Sequence, residues 1–145
     1  MYVVDASVWA SYYIPDDIFY PISREWIRRQ VEVLEVITAP AILLAEVGGA
    51  VSRRTGDSQQ AFEALALMQR LPNFQVLEVD ASLARFSADL AVDLRLRGAD
   101  ALYVALAQRL DIPLITWDRE QLQRGIAAVT ALTPEAALSW PSSSQ

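Results

Sequence analysis

Short apolar runs alternate along this chain with longer segments whose apolar positions recur at helical spacing. Tyr2-Val3-Val4, stopped by Asp5, predicts a buried strand over 1–4. Residues 6–13 read as a short helix closed by Pro15. Asp16 or Asp17 then suits the cap of a longer helix reaching about residue 35, offset near Pro21, with Ile22, Trp26 and Ile27 as its apolar stripe. A second short strand is expected over 36–38, and Pro40 fits the first turn of a helix that stops before Gly56. Asp57 or Ser58 caps the next helix, ended by Leu71-Pro72, and the β-branched alternation of 74–79 predicts a third strand.

In the second half, Asp80 caps a helix expected over 81–97 and ended at Gly98. Residues 99–110 are rich in Ala and Leu with almost no polar face, the pattern of a buried helix. A strand over 112–116, a helix over 118–124 and a short strand at 129–130 follow. Thr133 caps a turn over 134–138 with Pro134 at its first position. Strands alternating with helices give an α/β fold: a mainly parallel central sheet with helices on both faces. Nothing in the composition marks a linker, so 1–138 is expected to be one domain and 139–145 a frayed tail.

Composition narrows the chemistry. At 145 residues and 53% hydrophobic, the chain can bury a single core. No apolar run approaches the roughly 20 residues of a membrane span. The apolar start lacks a basic leader, so a soluble cytoplasmic protein is expected. Cys, His and Lys are all missing, and every basic residue is Arg. Disulfides, thiolate or imidazole chemistry, thiolate zinc sites, Schiff bases and the P-loop lysine are therefore excluded. Carboxylates, hydroxyls, Arg or a bound ion must carry any reaction. The net charge of −6 opposes a broad phosphate-binding surface. Two readings stay open for the local groups Arg28-Arg29, Arg53-Arg54 and Arg95 with Arg97: solvated helix faces, or flanks of an acidic pocket.

Four acids stand out by position. Asp5 and Asp118 follow apolar strands, where the sites of open parallel sheets collect. Glu46 falls within or beside the stripe Leu43, Val47, Ala50, Val51, and Asp100 opens the most apolar helix. Each has a local explanation: Asp5 and Asp100 as helix caps, Asp118 with Gln121 as a capping box, Glu46 paired with an arginine. Jointly they suggest like charges relieved by a hard divalent cation, magnesium or manganese, and thus metal-assisted phosphodiester hydrolysis. A phosphatase or DNA nuclease on the same acids, or a silent binding module, remains open.

These stretches resemble the PIN-domain family, and within it the VapC-type toxins of toxin–antitoxin pairs. The likeness rests on Val3-Val4-Asp5-Ala6-Ser7, on Glu46 in a helix beginning Ala39-Pro40, on Leu96 through Ala107 with Arg97-Gly98-Ala99-Asp100 at its start, and on Leu114-Ile115-Thr116-Trp117-Asp118. The resemblance implies an α/β/α sandwich, a homodimer, Mg2+- or Mn2+-dependent endoribonuclease activity and a small antitoxin that blocks the pocket. It implies that Asp5 and Asp100 are the main metal ligands, that Asp118 completes the ring and that Glu46 positions the attacking water. Ser7 and Thr116 would hydrogen-bond the carboxylates; for Ser7 a local cap is the alternative. Trp117 can be read as base-stacking or as packing, and Trp9, Tyr12 and Tyr13 as core or as dimer contact.

Overall fold

The computed structural model describes residues 1–140. Its strands are β1 (Tyr2–Val4), β2 (Ile37–Pro40), β3 (Phe74–Leu77), β4 (Leu114–Ile115) and β5 (Ala131–Leu132). Between them lie α1 (Ala6–Tyr13), α2 (Tyr20–Glu32), α3 (Ile42–Thr55), α4 (Ser58–Gln69), α5 (Ala81–Leu94), α6 (Gly98–Leu110), α7 (Arg119–Arg124) and finally α8 (Pro134–Leu138). All pairings are parallel, in the order β3-β2-β1-β4-β5. The chain steps outward from β1 to β2 and β3, then returns to lay β4 and β5 on the other side of β1. Parallel crossovers are right-handed, so reversing the direction of travel moves the later helices to the opposite face. Accordingly α1 packs on α2 and α3, and α3 on α4, while α5 packs on α6, which lies against β1, β2 and β4. The result is the expected α/β/α sandwich, with a sheet that is wholly parallel.

Strands this short hold because they are buried on both sides: Val3, Val4, Ile37, Ala39, Leu114 and Ile115 have no exposed surface. Trp9 is core as well, fully buried and edge-on to Phe74 at 5.2 Å. The β1–β4 register pairs Val4 with Ile115, and Asp5 N donates to Ile115 O at 2.9 Å. Asp5 and Thr116 therefore leave the sheet side by side at the point where strand order reverses.

Several boundaries differ from expectation. Neither Asp16 nor Asp17 caps α2, which starts at Tyr20 with Pro21 in its first turn. Asp17 instead accepts from Phe19 N at 2.8 Å and pairs with Arg54 at 2.7 Å. Pro40 ends β2 opposite Leu77 rather than opening α3; its missing N–H is harmless because Ala41 N carries the next bond, to Leu77 O at 2.8 Å. Helix α5 stops at Leu94, where Arg95 turns left-handed (φ 55°), and Arg97 becomes the extended N-cap of α6. Strand β5 lies beyond the expected 129–130, since Ala128 N closes a 3-10 turn on Gly125 O at 2.9 Å and Val129 N is used on the same oxygen at 3.0 Å. Helices α1 and α8 have the expected bounds. The tail expected from Ser139 falls, from residue 141 on, outside the described residues. Among the described residues no helix is long and apolar enough to cross a membrane.

Candidate active site

Asp5 is both a cap and a hub. Its Oδ2 accepts from Ser7 N at 3.0 Å, Ser7 Oγ at 2.5 Å and Thr116 Oγ1 at 3.1 Å, and its Oδ1 accepts from Gln121 Nε2 at 3.0 Å. Ser7 Oγ in turn accepts from Trp117 N at 3.0 Å, and Thr116 Oγ1 from Asp118 N at 2.9 Å. Both hydroxyls thus spend their proton on the carboxylate while fixing the backbone leaving β4. Asp100 is not the cap of α6, a position held by Arg97, but lies in its first turn and is buried. Negative charge there is favoured by the helix dipole. Its Oδ1 accepts from Gln121 Nε2 at 3.1 Å and its Oδ2 from Arg97 Nε at 2.8 Å.

Asp118 caps α7, with Oδ1 accepting from Gln121 N at 2.9 Å and Oδ2 from Arg97 Nη2 at 2.9 Å. One amide nitrogen therefore joins Asp5 to Asp100, and one guanidinium joins Asp100 to Asp118. Glu46, half-buried on α3, stands across from them and accepts from the Tyr103 hydroxyl of α6 at 2.5 Å. The four predicted acids thus come to one crevice, from β1, α3, α6 and the exit of β4.

The electrostatics agree with that convergence. Burial raises the Glu46 pKa, and the charges of Asp5 and Asp100 add to the rise against the Tyr103 hydrogen bond and Arg97. Burial likewise raises Asp100, helped by Asp118 and opposed by Gln121 and Arg97. Tyr103 is held protonated, its pKa driven up by burial and by Asp5 and Glu46, so it stays a donor.

Gln121 and Tyr103 were not legible as site residues. Gln121 looks like half of a capping box, and its N–H does bond to Asp118. Its side chain, however, is fully buried between Asp5 and Asp100, and its Oε1 has no hydrogen-bond partner among the described residues. Of the two readings open for Arg97, a solvated helix face or the flank of an acidic pocket, its ion pairs with Asp100 and Asp118 fit the second, and its i,i+3 spacing from Asp100 was the available signal. Trp117 stacks on Phe19 (centroids 4.1 Å apart, planes 11° apart) and donates from Nε1 to Ser23 Oγ at 2.8 Å, which is a packing role.

The donor set, carboxylate oxygens alone, suits a hard divalent cation. In this arrangement, among the described residues, no three acidic side chains gather closely enough to enclose one. A cationic stand-in is present instead, the Arg97 guanidinium between Asp100 and Asp118.

An α/β/α fold with acids at the switch point of a parallel sheet defines a class of possible phosphate-handling sites, and sequence comparison names the family. The PIN-domain profile matches residues 2–127, and the chain belongs to the PIN-domain family. No curated protein matches the sequence. Among solved structures, the chain is similar to the Mycobacterium tuberculosis VapC20 toxin, which cleaves the sarcin–ricin loop (TM-score 0.75, 19% identity, 90% of this chain and 97% of that one). It is similar to PAE2754 of Pyrobaculum aerophilum (TM-score 0.67, 26% identity, 95% and 93% of the two chains). A toxin–antitoxin complex from Klebsiella pneumoniae also matches (TM-score 0.62, 18% identity, 92% and 98%). At 19% and 18% identity, the first and third likenesses speak to fold alone.

Proposed function

We propose that this chain is a divalent-cation-dependent endoribonuclease and the toxin of a toxin–antitoxin pair. The observation that carries the reading is the convergence of Asp5 and Asp100 on one buried amide, with Asp118 joined to Asp100 through Arg97. Membership of the PIN family, whose nucleases typically use divalent metals, supplies the reaction class. We take RNA rather than DNA or a phosphomonoester as the substrate of this chain, as it is for the sarcin–ricin-loop-cleaving toxin of the same fold.

In this reading Asp5, Asp100 and Asp118 hold Mg2+ or Mn2+. When bound, such a cation neutralises the acids, polarises the phosphodiester and eases deprotonation of water. Glu46 positions the attacking water: Tyr103 fixes its Oε2, which leaves Oε1 to accept the proton, and its raised pKa improves it as a base. Ser7, Thr116 and Gln121 orient Asp5 by donating to both of its oxygens. No covalent nucleophile is needed, in keeping with the missing Cys, His and Lys. A small antitoxin covering the pocket, a homodimeric state and a cytoplasmic location complete the proposal.

Asp5→Asn and Asp100→Asn should each abolish Mg2+-dependent cleavage of RNA while the far-UV circular dichroism is unchanged. Retained cleavage in both variants sinks the assignment. Cleavage of DNA or of a phosphomonoester with RNA spared would replace it with the corresponding hydrolase. Induction of the wild-type chain alone should slow growth, and Asp5→Asn should not.

A further inference from the structure

The oxygens that Arg97 holds are the same ones a cation needs. Asp5 has both oxygens engaged by neutral donors: Ser7 and Thr116 on Oδ2, Gln121 on Oδ1. Asp100 Oδ1 is fixed by the Gln121 amide nitrogen and Asp118 Oδ1 by the Gln121 backbone N–H. That leaves Asp100 Oδ2 and Asp118 Oδ2, and each is held by Arg97. In the arrangement with the guanidinium between them, no three acids among the described residues gather closely enough to enclose an ion. Beside these oxygens the fully buried Oε1 of Gln121 has no hydrogen-bond partner among the described residues.

Arg97 is easy to move. Its side chain is 69% exposed, and it sits on an extended residue ahead of α6, so torsions of the side chain alone carry it out. The guanidinium is screened by solvent although Asp100 and Asp118 are mostly buried, so displacing both pairs should weaken cation binding by only about three- to tenfold. Once released, the guanidinium stays tethered beside the three acids. Its planar fork of donors matches the non-bridging oxygens of a phosphodiester.

We propose that Arg97 is an internal counter-ion: it holds the acids together without a cation, yields its place when one binds, and then contacts the scissile phosphate. This rests on the reading of the pocket as a cation-dependent nuclease site. The exchange involves no covalent step, and the guanidinium keeps its proton throughout, as arginine does in proteins.

The test is a calorimetric Mn2+ titration of the cation-free protein. Arg97→Gln should bind Mn2+ roughly three- to tenfold more tightly than wild type. Arg97→Lys should fall between them, keeping the charge and losing the fork. Arg124→Gln, which removes an arginine paired only with Glu120 among the acids, should change the affinity less than twofold and so exclude a general charge effect. With Mg2+, the Arg97 Nε–H resonance should shift and exchange faster as the site saturates. Unchanged or weaker Mn2+ binding by Arg97→Gln, or an Nε–H signal unmoved at saturation, overturns the exchange. At saturating Mn2+, Arg97→Gln should raise KM for RNA several-fold more than it lowers kcat; an unchanged KM overturns the phosphate contact. If the wild-type chain cleaves no RNA, the nuclease reading fails while the Mn2+ and resonance measurements still judge the exchange.

Discussion

At the amino end of the sheet, Asn73 is 5% exposed and gives its amide hydrogens to Gln30 O at 3.2 Å and Glu35 O at 2.6 Å, while the Met1 ammonium pairs with Glu35. At the carboxyl end, four acids share one crevice, and the cation joining two of them is a largely exposed arginine. The first end ties the segment after α2 to the start of β3 through the neutral Asn73 amide, whose two hydrogens are used although its Oδ1 has no partner among the described residues. The second gathers charges of one sign, two of which burial pushes toward their protonated forms. Destabilised clusters of this sort mark sites where a fold gives up stability to have chemistry. The amino end therefore predicts loss of stability without loss of activity, and the carboxyl end the reverse.

Asn73→Ala should give the largest stability change. It leaves Glu35 O without its donor and takes the buried second donor from Gln30 O, which keeps Glu35 N at 2.9 Å, at about 2–3 kcal/mol in total. Thermal denaturation should show a midpoint lowered by roughly 5–10 °C, with RNA cleavage at 20 °C unaffected. Lost cleavage at full folding would mean that the two ends are coupled, and the comparison would break.

Glu46→Gln should move the other way. The amide oxygen can still accept from Tyr103, and one charge leaves a crowded acidic pocket, so stability should rise by about 0.5–2 kcal/mol. The melting midpoint should climb by a few degrees while cleavage is lost. A lower midpoint would show that Arg97 already balances the cluster.

The sequence carries these two ends unequally. The boundaries of α1 and α8 were legible because local signals govern them: Asp5 and Thr133 as caps, Pro134 in the first turn. The fold class followed from alternating element types, and Asp5 and Asp118 could be placed at strand exits on one edge because parallel sheets put all such exits there; that β1 and β4 are neighbours came only with the strand order. Missed were the features set by distant partners. The end of α5 depends on a left-handed Arg95, a conformation rarely adopted outside glycine and hard to foresee. Gln121 lies in a six-residue helix, too short for periodicity to reveal which way a side chain points. Asn73, buried by contacts more than thirty-five residues away in sequence, reads as an ordinary loop residue after Pro72.

The smallest predicted effect is also the one most specific to the carboxyl end. Glu46 and Asp100 have folded-state pKa values above their ordinary ones, mainly through burial. Between the ordinary carboxylate range and the raised values, the folded chain binds more protons than the unfolded chain. Stability therefore falls as pH rises through that window, the opposite of what a salt-bridged carboxylate contributes. The contribution of this pair is fully favourable below the ordinary range and is lost once the pH passes the raised values. Denaturant midpoints measured across that window should carry this negative slope, and Glu46→Gln should flatten it by removing the more crowded of the two groups. An identical profile in wild type and variant would place the pH sensitivity outside the acid pocket, and with it the claim that this end of the sheet is strained by charge.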